Sequence, residues 1–394
     1  METPFISFFL TTRKSVPDWC RNQALTPMRA RFIAPWKDST EKPVIYHCVS
    51  RVVDRRFAFG PEEKEQLRTY LRMYENFSGC RALAYCFMSN HLHLLLEVPP
   101  MPEGGLSDAE LLKRLGAIYR EPEVKAVEKE LKEARQAISE GRAAESLATA
   151  VHERFTYRMH DLSEFMKGFM QRFTQWFNRS RQRTGGLWED AFKSVLVEDG
   201  VAARTMAAYI DLNPVRAGIV TDPAEYRWSS YGEAMGGGPK GNGAKARAGL
   251  VRALGAHKGW SADARHWAGQ VSKDYRMLLL GAGMEQVAEA VGADGERVEK
   301  VVKMGMKREV AKQELAELER SRDVALSRVV RYRVRYFTDG AVLGSRNFVD
   351  GVFRACRERF GPKRTSGARK LRGAASAAGG VLWSVRDLRK GIGG

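Results

Sequence analysis

The stretch Ser89-Asn90-His91-Leu92-His93-Leu94-Leu95-Leu96-Glu97-Val98 places two histidines, one residue apart, at the start of an aliphatic run. Successive side chains of a β-strand point to opposite faces, so we expect His91 and His93 on one face and Leu92 on the other. Two imidazoles on one face can bind one divalent metal ion. Two ordinary strand histidines are the alternative, and this stretch alone does not decide between them.

The segments around this stretch predict an antiparallel sheet. Residues 44–53 and 81–88 are apolar and β-branched, which predicts strands on either side of a helix that opens at Pro61 and ends near Gly79. A second helix opens at Asp161 with phenylalanine at every fourth position, and residues 187–197 predict a fourth strand. This β-α-β-β order favours an α+β fold, with helices on one face of the sheet.

Changes in composition divide the chain into three parts. Residues 106–150 alternate in charge at helical spacing, which is typical of a solvated helical insertion. A glycine-rich run at residues 236–243 marks a boundary. We therefore predict an N-terminal arm at residues 1–42, a first domain at residues 43–235 that contains the insertion, and a basic, mainly helical C-terminal region at residues 236–394.

The net charge points to a polyanionic partner. Lys and Arg number 65 against 47 Asp and Glu, a net charge of +18, and residues 301–394 hold 22 against 9, a net of +13. No apolar run approaches the ~18 residues of a membrane-spanning helix, so nucleic acid is favoured over membrane. The five scattered cysteines lack a C-x-x-C pair, which fits a reducing cytoplasm without disulfides or structural zinc.

Two features of the C-terminal region favour DNA binding. Residues 285–303 contain two short apolar segments around a glycine, the pattern of a helix-turn-helix, although two helices that simply pack together give the same pattern. The concentrated positive charge of the C-terminal region favours phosphate contact, and Arg331, Arg333 and Arg335 alternate along an apparent strand. For Arg51, Arg172 and Lys193 a solvated or core-edge role stays open beside DNA contact. The expected DNA contacts are Arg51, Arg172, Lys193, Arg331, Arg333, Arg335, Lys363, Arg364, Arg369 and Lys370.

A tyrosine and an asparagine extend the chemistry of the histidine pair. Residues 201–212 predict a helix that stops at Asn213, because Pro214 disfavours helical geometry there. Tyr209 and Asn213 lie four positions apart and share one helical face. An amide oxygen could complete a metal site, and a metal beside a phosphodiester would assist attack by a tyrosine hydroxyl. A core aromatic and a helix cap are the alternative reading of this pair.

The ordered motifs resemble those of the single-tyrosine HUH transposases, the IS200-like superfamily, and most closely those of the REP-associated tyrosine transposases. The resemblance covers about residues 43–232. It rests on residues 46–51 (YHCVSR), 88–96 (MSNHLHLLL), 186–194 (GLWEDAFKS), 209–218 (YIDLNPVRAG) and 228–231 (WSSY).

The resemblance implies a DNA nicking and strand-transfer enzyme with an HUH-type antiparallel sheet flanked by helices. It implies His91, His93 and Asn213 as ligands of Mg²⁺ or Mn²⁺, and Tyr209 as a nucleophile that forms a 5′-phosphotyrosine. The implied substrate is single-stranded, hairpin-forming repeat DNA, processed without ATP by a monomer or homodimer in a bacterial cytoplasm, associated with the nucleoid. The alternatives are a domesticated, non-catalytic DNA-binding protein or regulator with the same fold, and a metal nuclease that uses activated water.

Overall fold

The computed structural model describes residues 32–238, 240–255, 262–291, 297–318, 335–338, 340–371 and 381–385. Its strands are β1 (Val44–Arg51), β2 (Arg81–Phe87), β3 (His91–Val98), β4 (Lys193–Val197), β5 (Gln286–Val291), β6 (Arg297–Lys303), β7 (Val342–Gly344), β8 (Arg369–Lys370) and β9 (Trp383–Val385).

The helices follow in chain order and lie between or after these strands. They are α1 (Pro61–Ser78), α2 (Asp108–Leu115), α3 (Glu121–Ser139), α4 (Ser146–Thr156), α5 (Leu162–Ser180), α6 (Val201–Asp211), α7 (Asn213–Arg216), α8 (Ser230–Gly236), α9 (Asn242–Gly255), α10 (Gln270–Gly283), α11 (Arg308–Leu318), α12 (Arg335–Thr338) and α13 (Arg346–Ala355).

One seven-stranded sheet organises the described chain, in the order β2-β3-β1-β4-β7-β9-β8. Only the β4–β7 pair in this sheet is parallel. The α+β class and the mostly antiparallel sheet are therefore as the sequence predicts. In the β1–β3 ladder Arg51 lies opposite His91, and Val49 lies opposite His93.

Strand β3 lies between β1 and β2 and is buried along both faces after its first residue. Leu92, Leu94 and Leu96 pack into the core beneath α1 and α5, whereas Leu95 packs into the core beneath α6. A strand that is apolar on both faces needs a cover on both faces. The expectation of helices on one face only is therefore wrong, because α6, α9 and α10 cover the second face.

Helix α5 forms as its sequence predicts. The Asp161 carboxylate accepts a hydrogen bond from the Glu164 amide at 2.8 Å and so caps the N-terminus. Phe165, Phe169 and Phe173 form one stripe that is fully buried against the sheet. Capping and periodicity act locally, so this element could be predicted without knowledge of its partners.

The insertion forms three helices, α2, α3 and α4, with a small core of their own. Leu111, Leu131 and Val151 pack together there with Phe77 of α1. The outer surface carries exposed ion pairs such as Lys132–Glu128 at 2.7 Å, in keeping with the predicted solvated face. The insertion is thus a small helical unit seated on α1, with more internal packing than a solvated helix would have.

The chain before the predicted first domain packs on the same sheet, and the chain after it extends the sheet. Phe32 and Ala34, assigned to the arm, are buried, and the Ser194 hydroxyl donates to the Phe32 carbonyl at 3.1 Å. Strand β7 pairs with β4, and α9 packs on β2 so closely that a Cβ at Gly249 would lie 2.4 Å from the Ala82 carbonyl oxygen. The C-terminal region therefore completes the fold of the predicted first domain.

The predicted helix-turn-helix at residues 285–303 is wrong. The segment forms the antiparallel pair β5–β6. Valine is β-branched and favours strands, and the apolar spacing of these short segments fits strands as well as helices. Among the described residues no helix combines the length and apolar character needed to cross a membrane.

Candidate active site

The antiparallel register brings the predicted histidines to the sheet face that α6 covers. His91 and His93 of β3 have ring centroids 5.0 Å apart, and their planes are nearly perpendicular at 83°. His47 of β1 lies on the same face, with its ring stacked on His93 at 5.2 Å. The sequence predicts the pair, whereas pairing between β1 and β3 adds the third imidazole.

Helix α6 places Tyr209 against these rings. Its ring centroid lies 5.8 Å from that of His93 and 6.0 Å from that of His47, in edge-to-face contacts. The alanines of α6, such as Ala207 and Ala208, are buried against the sheet and permit this close approach. Tyr209 is thus brought to the histidines from more than a hundred residues away in the sequence.

A residue from the C-terminal region covers Tyr209. The ring of Phe337, in α12, stacks on the ring of Tyr209 at 4.8 Å with an interplanar angle of 22°. Phe337 is 0% exposed and Tyr209 only 2% exposed. The tyrosine is therefore enclosed between the histidines and a segment that the sequence analysis did not connect with the site.

Hydrogen bonds define which ring nitrogens carry protons. The Phe337 carbonyl only accepts, so His47 Nδ1 donates to it at 2.7 Å. In a neutral ring His47 Nε2 then accepts, and His93 Nδ1 donates to it at 3.0 Å. The side-chain nitrogen of Asn90 donates to the Arg55 carbonyl. The side-chain oxygen of Asn90 therefore faces His91 Nδ1, which donates to it at 2.6 Å. His91 and His93 therefore both keep an unprotonated Nε2.

Burial keeps these rings neutral. It lowers the pKa of His47 and of His91 to about 4, and the positive charge of Arg51 lowers the pKa of His91 further. Burial also lowers the pKa of His93 well below its usual range, with contributions from His91 and His47. A neutral imidazole with a free Nε2 lone pair is the form that binds a metal ion.

The two neutral imidazoles have the donor atoms that metal ions bind, and their hydrogen bonds at Nδ1 are of the type that orients metal ligands. Among the described residues no group of three or more His, Cys, Asp or Glu side chains could hold a metal ion. Asn213 Nδ2 donates to the carbonyls of Tyr209 and Ile210, at 3.2 and 3.1 Å. These contacts are those of a helix cap, and only its Oδ1 is left to act as the predicted third ligand.

Arg216 is a candidate site residue that the sequence analysis missed. Its guanidinium lies 5.0 Å from the Tyr209 ring centroid, and Nη1 donates to the Tyr209 carbonyl at 3.1 Å. Burial lowers the pKa of Arg216 to about 10, which leaves it cationic at neutral pH. Its position seven residues after Tyr209, about two helical turns, was the available signal.

A small basic cleft opens beside Arg51, which lies opposite His91 in the β1–β3 ladder. It has a volume of about 90 Å³, and its lining includes Arg51, Arg55 and Lys193 together with Glu189 and Asp190. Two of the predicted DNA contacts, Arg51 and Lys193, thus line one cleft. A larger cleft of about 830 Å³ lies at the β2 edge and is lined by Arg81, Lys113 and Lys245, but by none of the histidines or Tyr209.

The other predicted DNA contacts lie away from the histidines or outside the described residues. Arg172 is on the opposite face of the sheet, where it donates to the Ile118 carbonyl and packs over Tyr70. Arg364 packs over Phe353 and donates to the Gly367 carbonyl. Lys363, Arg369 and Lys370 are exposed, the last two in edge strand β8. Arg335 begins α12 and not a strand, and Arg331 and Arg333 lie outside the described residues.

Comparison with known proteins gives one family. Residues 40–104 match the family described as "Transposase IS200 like". This segment holds β1, α1, β2 and β3, hence all three histidines, but neither Tyr209 nor Asn213.

Two further comparisons complete this result. No curated protein matches the chain. One solved structure that matches is "Structure of the REP associates tyrosine transposase bound to a REP hairpin", which is 12% identical with a TM-score of 0.31 and covers 54% of this chain and 87% of that chain. This structural likeness is remote.

Proposed function

We propose that this protein cleaves and rejoins single-stranded DNA through a covalent phosphotyrosine on Tyr209. The match of residues 40–104 to the IS200-like transposase family supports this proposal. The observation that carries the proposal is the contact between Tyr209 and His93, at 5.8 Å between ring centroids. A nucleophile and two neutral histidines with open Nε2 atoms then lie in one enclosed site.

The proposed reaction is a transesterification. Tyr209 Oη forms a bond to a DNA phosphorus atom while the bond to the 3′ oxygen of the preceding nucleotide breaks. The phenolic proton ends on the released 3′ hydroxyl, and the following strand stays on Tyr209 through its 5′ phosphate. Attack by a 3′ hydroxyl reverses the step and rejoins the strand, so no external energy source is needed.

The histidines have a separate task in this proposal. His91 and His93 would hold Mg²⁺ or Mn²⁺ through Nε2, and Asn213 Oδ1 is the proposed third ligand. Such an ion supplies Lewis-acid stabilisation of the phosphate oxygens and orients them. The Nδ1 atoms of His91 and His93 are engaged by Asn90 and His47, which leaves both Nε2 atoms for the ion.

The cationic side chains around the histidines suit a phosphate backbone. Arg51 lies opposite His91 in the ladder, and it lines the basic cleft together with Arg55 and Lys193. Arginine and lysine are the usual partners of DNA phosphates. Arg216 stands over the Tyr209 ring, where its positive charge favours a phenolate over a phenol.

Access to Tyr209 requires movement of α12. Phe337 stacks directly on Tyr209 and buries it, so no phosphate can approach while that contact persists. The proposed enzyme is therefore in a closed state, in which DNA binding must displace α12.

A Tyr209→Phe variant tests the nucleophile. The full-length protein is incubated with Mn²⁺ and a pool of hairpin-bearing single strands that carry a label at the 3′ end. We expect wild-type protein to give a labelled adduct on a denaturing gel, because the 3′ fragment stays on the enzyme. The variant is expected to bind the same DNA without forming an adduct.

A matched control is Tyr157→Phe, which alters an exposed tyrosine at the end of α4. It should form the adduct as wild-type protein does. An adduct that survives in Tyr209→Phe would remove Tyr209 from the reaction. Cleavage without an adduct in wild-type protein would instead support a metal nuclease that uses water.

A DNA-binding protein without catalysis is the second candidate. Two observations favour it: Tyr209 is buried beneath Phe337, and Asn213 uses its amide nitrogen to cap α6. This candidate predicts that wild-type protein binds hairpin DNA with Mn²⁺ present but forms neither adduct nor cleavage product. The same gel therefore separates the two.

A further inference from the structure

His47 is a fully buried histidine whose two ring nitrogens are both engaged. Nδ1 donates to the Phe337 carbonyl at 2.7 Å, and Nε2 lies 3.0 Å from His93 Nδ1. Its ring is stacked on that of His93 with an interplanar angle of only 10°. A ring with both nitrogens occupied is not available as a metal ligand.

We propose that His47 is a positioning residue that holds His93 in the Nδ1–H tautomer and so directs the Nε2 lone pair of His93 toward a divalent cation. The identity of that cation rests on the proposed function. The tautomer itself does not, because it follows from hydrogen bonds within the protein.

The direction of the hydrogen bonds supports this role. The Phe337 carbonyl has no proton to give, so His47 Nδ1 must be the donor. A neutral imidazole carries a single N–H, so His47 Nε2 is then the acceptor. His93 Nδ1 must then carry the proton that it shares with His47. If His47 were replaced by an apolar residue, His93 Nδ1–H would be left buried without an acceptor, and the other tautomer would remove the lone pair from the metal position.

The second histidine has an equivalent support from a different residue. Asn90 accepts from His91 Nδ1 and is itself anchored on the Arg55 carbonyl, in a turn where Asp54 and Arg55 have positive φ angles of 57° and 55°. Two ligands with two independent orienting partners is the arrangement expected of a metal site. His47 is the buried member of these two partners.

The experiment compares His47→Leu with His47→Gln in the full-length protein. Gln keeps a side-chain oxygen near the position of Nε2 that can accept from His93 Nδ1, whereas Leu offers no acceptor. Long-range ¹H–¹⁵N NMR of the histidine rings reads the tautomer in metal-free protein. Titration with Mn²⁺ followed by electron paramagnetic resonance reads the affinity.

We expect His93 in wild-type protein to show the Nδ1–H pattern. In His47→Leu that pattern should be lost, and Mn²⁺ affinity should fall by roughly 10- to 100-fold. His47→Gln should stay near wild type in both measurements. His152→Leu, which removes a hydrogen-bonded histidine of the insertion, is the matched control and should change neither.

Several outcomes would overturn the role of His47. One is a His93 ring that carries its proton on Nε2 in wild-type protein. This measurement does not depend on the folding of any variant. Another is His47→Leu with wild-type affinity, or Gln as damaging as Leu, which would indicate packing alone. If wild-type protein binds no Mn²⁺, the proposed function loses its cation, and the ring NMR alone then decides for or against His47.

Discussion

At the scale of the residue, the direction of single hydrogen bonds decides what the histidines can do. His91 and His93 differ from ordinary strand histidines because each has its Nδ1 held by a defined acceptor, Asn90 or His47. Both rings are neutral and both keep Nε2 unprotonated. These contacts support the proposed metal ligands, and the Mn²⁺ titration tests that role against the alternative of two plain strand histidines.

Arg51 and Arg172 provide a matched pair for the predicted DNA contacts. Both are half-buried arginines, but Arg51 lines the basic cleft, whereas Arg172 lies on the opposite face of the sheet and donates to the Ile118 carbonyl. We expect Arg51→Gln to weaken binding of single-stranded DNA and to reduce the slope of log affinity against log salt by about 1. Arg172→Gln should leave that slope unchanged. Equal effects in a fluorescence-anisotropy salt series would argue against the cleft as a phosphate site.

At the scale of the element, a helix or strand can be predicted from the sequence when its signal lies within the element itself. Strand β3 has the bounds that its sequence predicts, and α5 is capped by Asp161 as expected. The segment that forms β5–β6 is wrongly predicted as two helices, because its valines and alanines satisfy both periodicities over a short span. Short apolar segments are ambiguous for this reason, and their flanking turn residues carry the decision.

Helix α12 provides a prediction about access to Tyr209. Phe337→Ala removes the stacked ring, and such aromatic pairs contribute about 0.5–1.5 kcal/mol. We expect the open state to become about 2- to 10-fold more populated. Tyr209 should then be nitrated by tetranitromethane faster by a similar factor, as peptide mapping would show.

The control for this prediction is Phe348→Ala in α13, which removes an aromatic contact with Trp36 and none with Tyr209. It should leave nitration of Tyr209 unchanged. Unchanged nitration in Phe337→Ala would mean that other contacts keep the tyrosine closed.

The insertion provides a prediction about pH. Hydrogen bonds from Arg135 and His152 lower the pKa of Asp108 to about 2, below its usual 3.8. The unfolded chain therefore takes up the proton first as pH falls, so this stabilisation is present above about pH 4 and is lost as pH falls through 2. Asp108→Asn should cost only about 0.5–1 kcal/mol at pH 7, because the ion pair is partly exposed.

Urea unfolding measures this difference. The gap between wild type and Asp108→Asn should shrink between pH 4 and pH 2. Glu128→Gln, which alters one exposed pair with Lys132 on α3, should cost less at every pH. A gap that stays constant down to pH 2 would contradict the role given to the Asp108 carboxylate.

At the scale of the whole molecule, the C-terminal region contributes to the fold and to the candidate site in ways that its charge alone would not suggest. It completes the sheet through β7, β9 and β8, and it supplies Leu250 and Leu278 to the core beneath α6. It also supplies Phe337 to the candidate site. Removing it would therefore test stability and not DNA affinity.

We expect a chain truncated after residue 239 to lose its cooperative thermal transition, since α6 would lose the apolar side chains of α9 and α10. Gly249→Val should also destabilise the fold and lower the melting temperature, because its Cβ would lie 2.4 Å from the Ala82 carbonyl oxygen. Circular dichroism measures both. A truncated chain that unfolds cooperatively at the wild-type temperature would show that the two regions are independent.

The sequence by itself determined the elements with local signals and, through five ordered motifs, the resemblance to a family that residues 40–104 then matched. It also determined that His91 and His93 share a face, because alternation along a strand is a property of the backbone. Only the tertiary structure decided that His47 supports His93 and that Phe337 covers Tyr209. The first contact joins two residues that are 46 positions apart in the sequence, and the second joins two that are 128 positions apart. No local pattern encodes the register of one strand against another or the segment that closes a site.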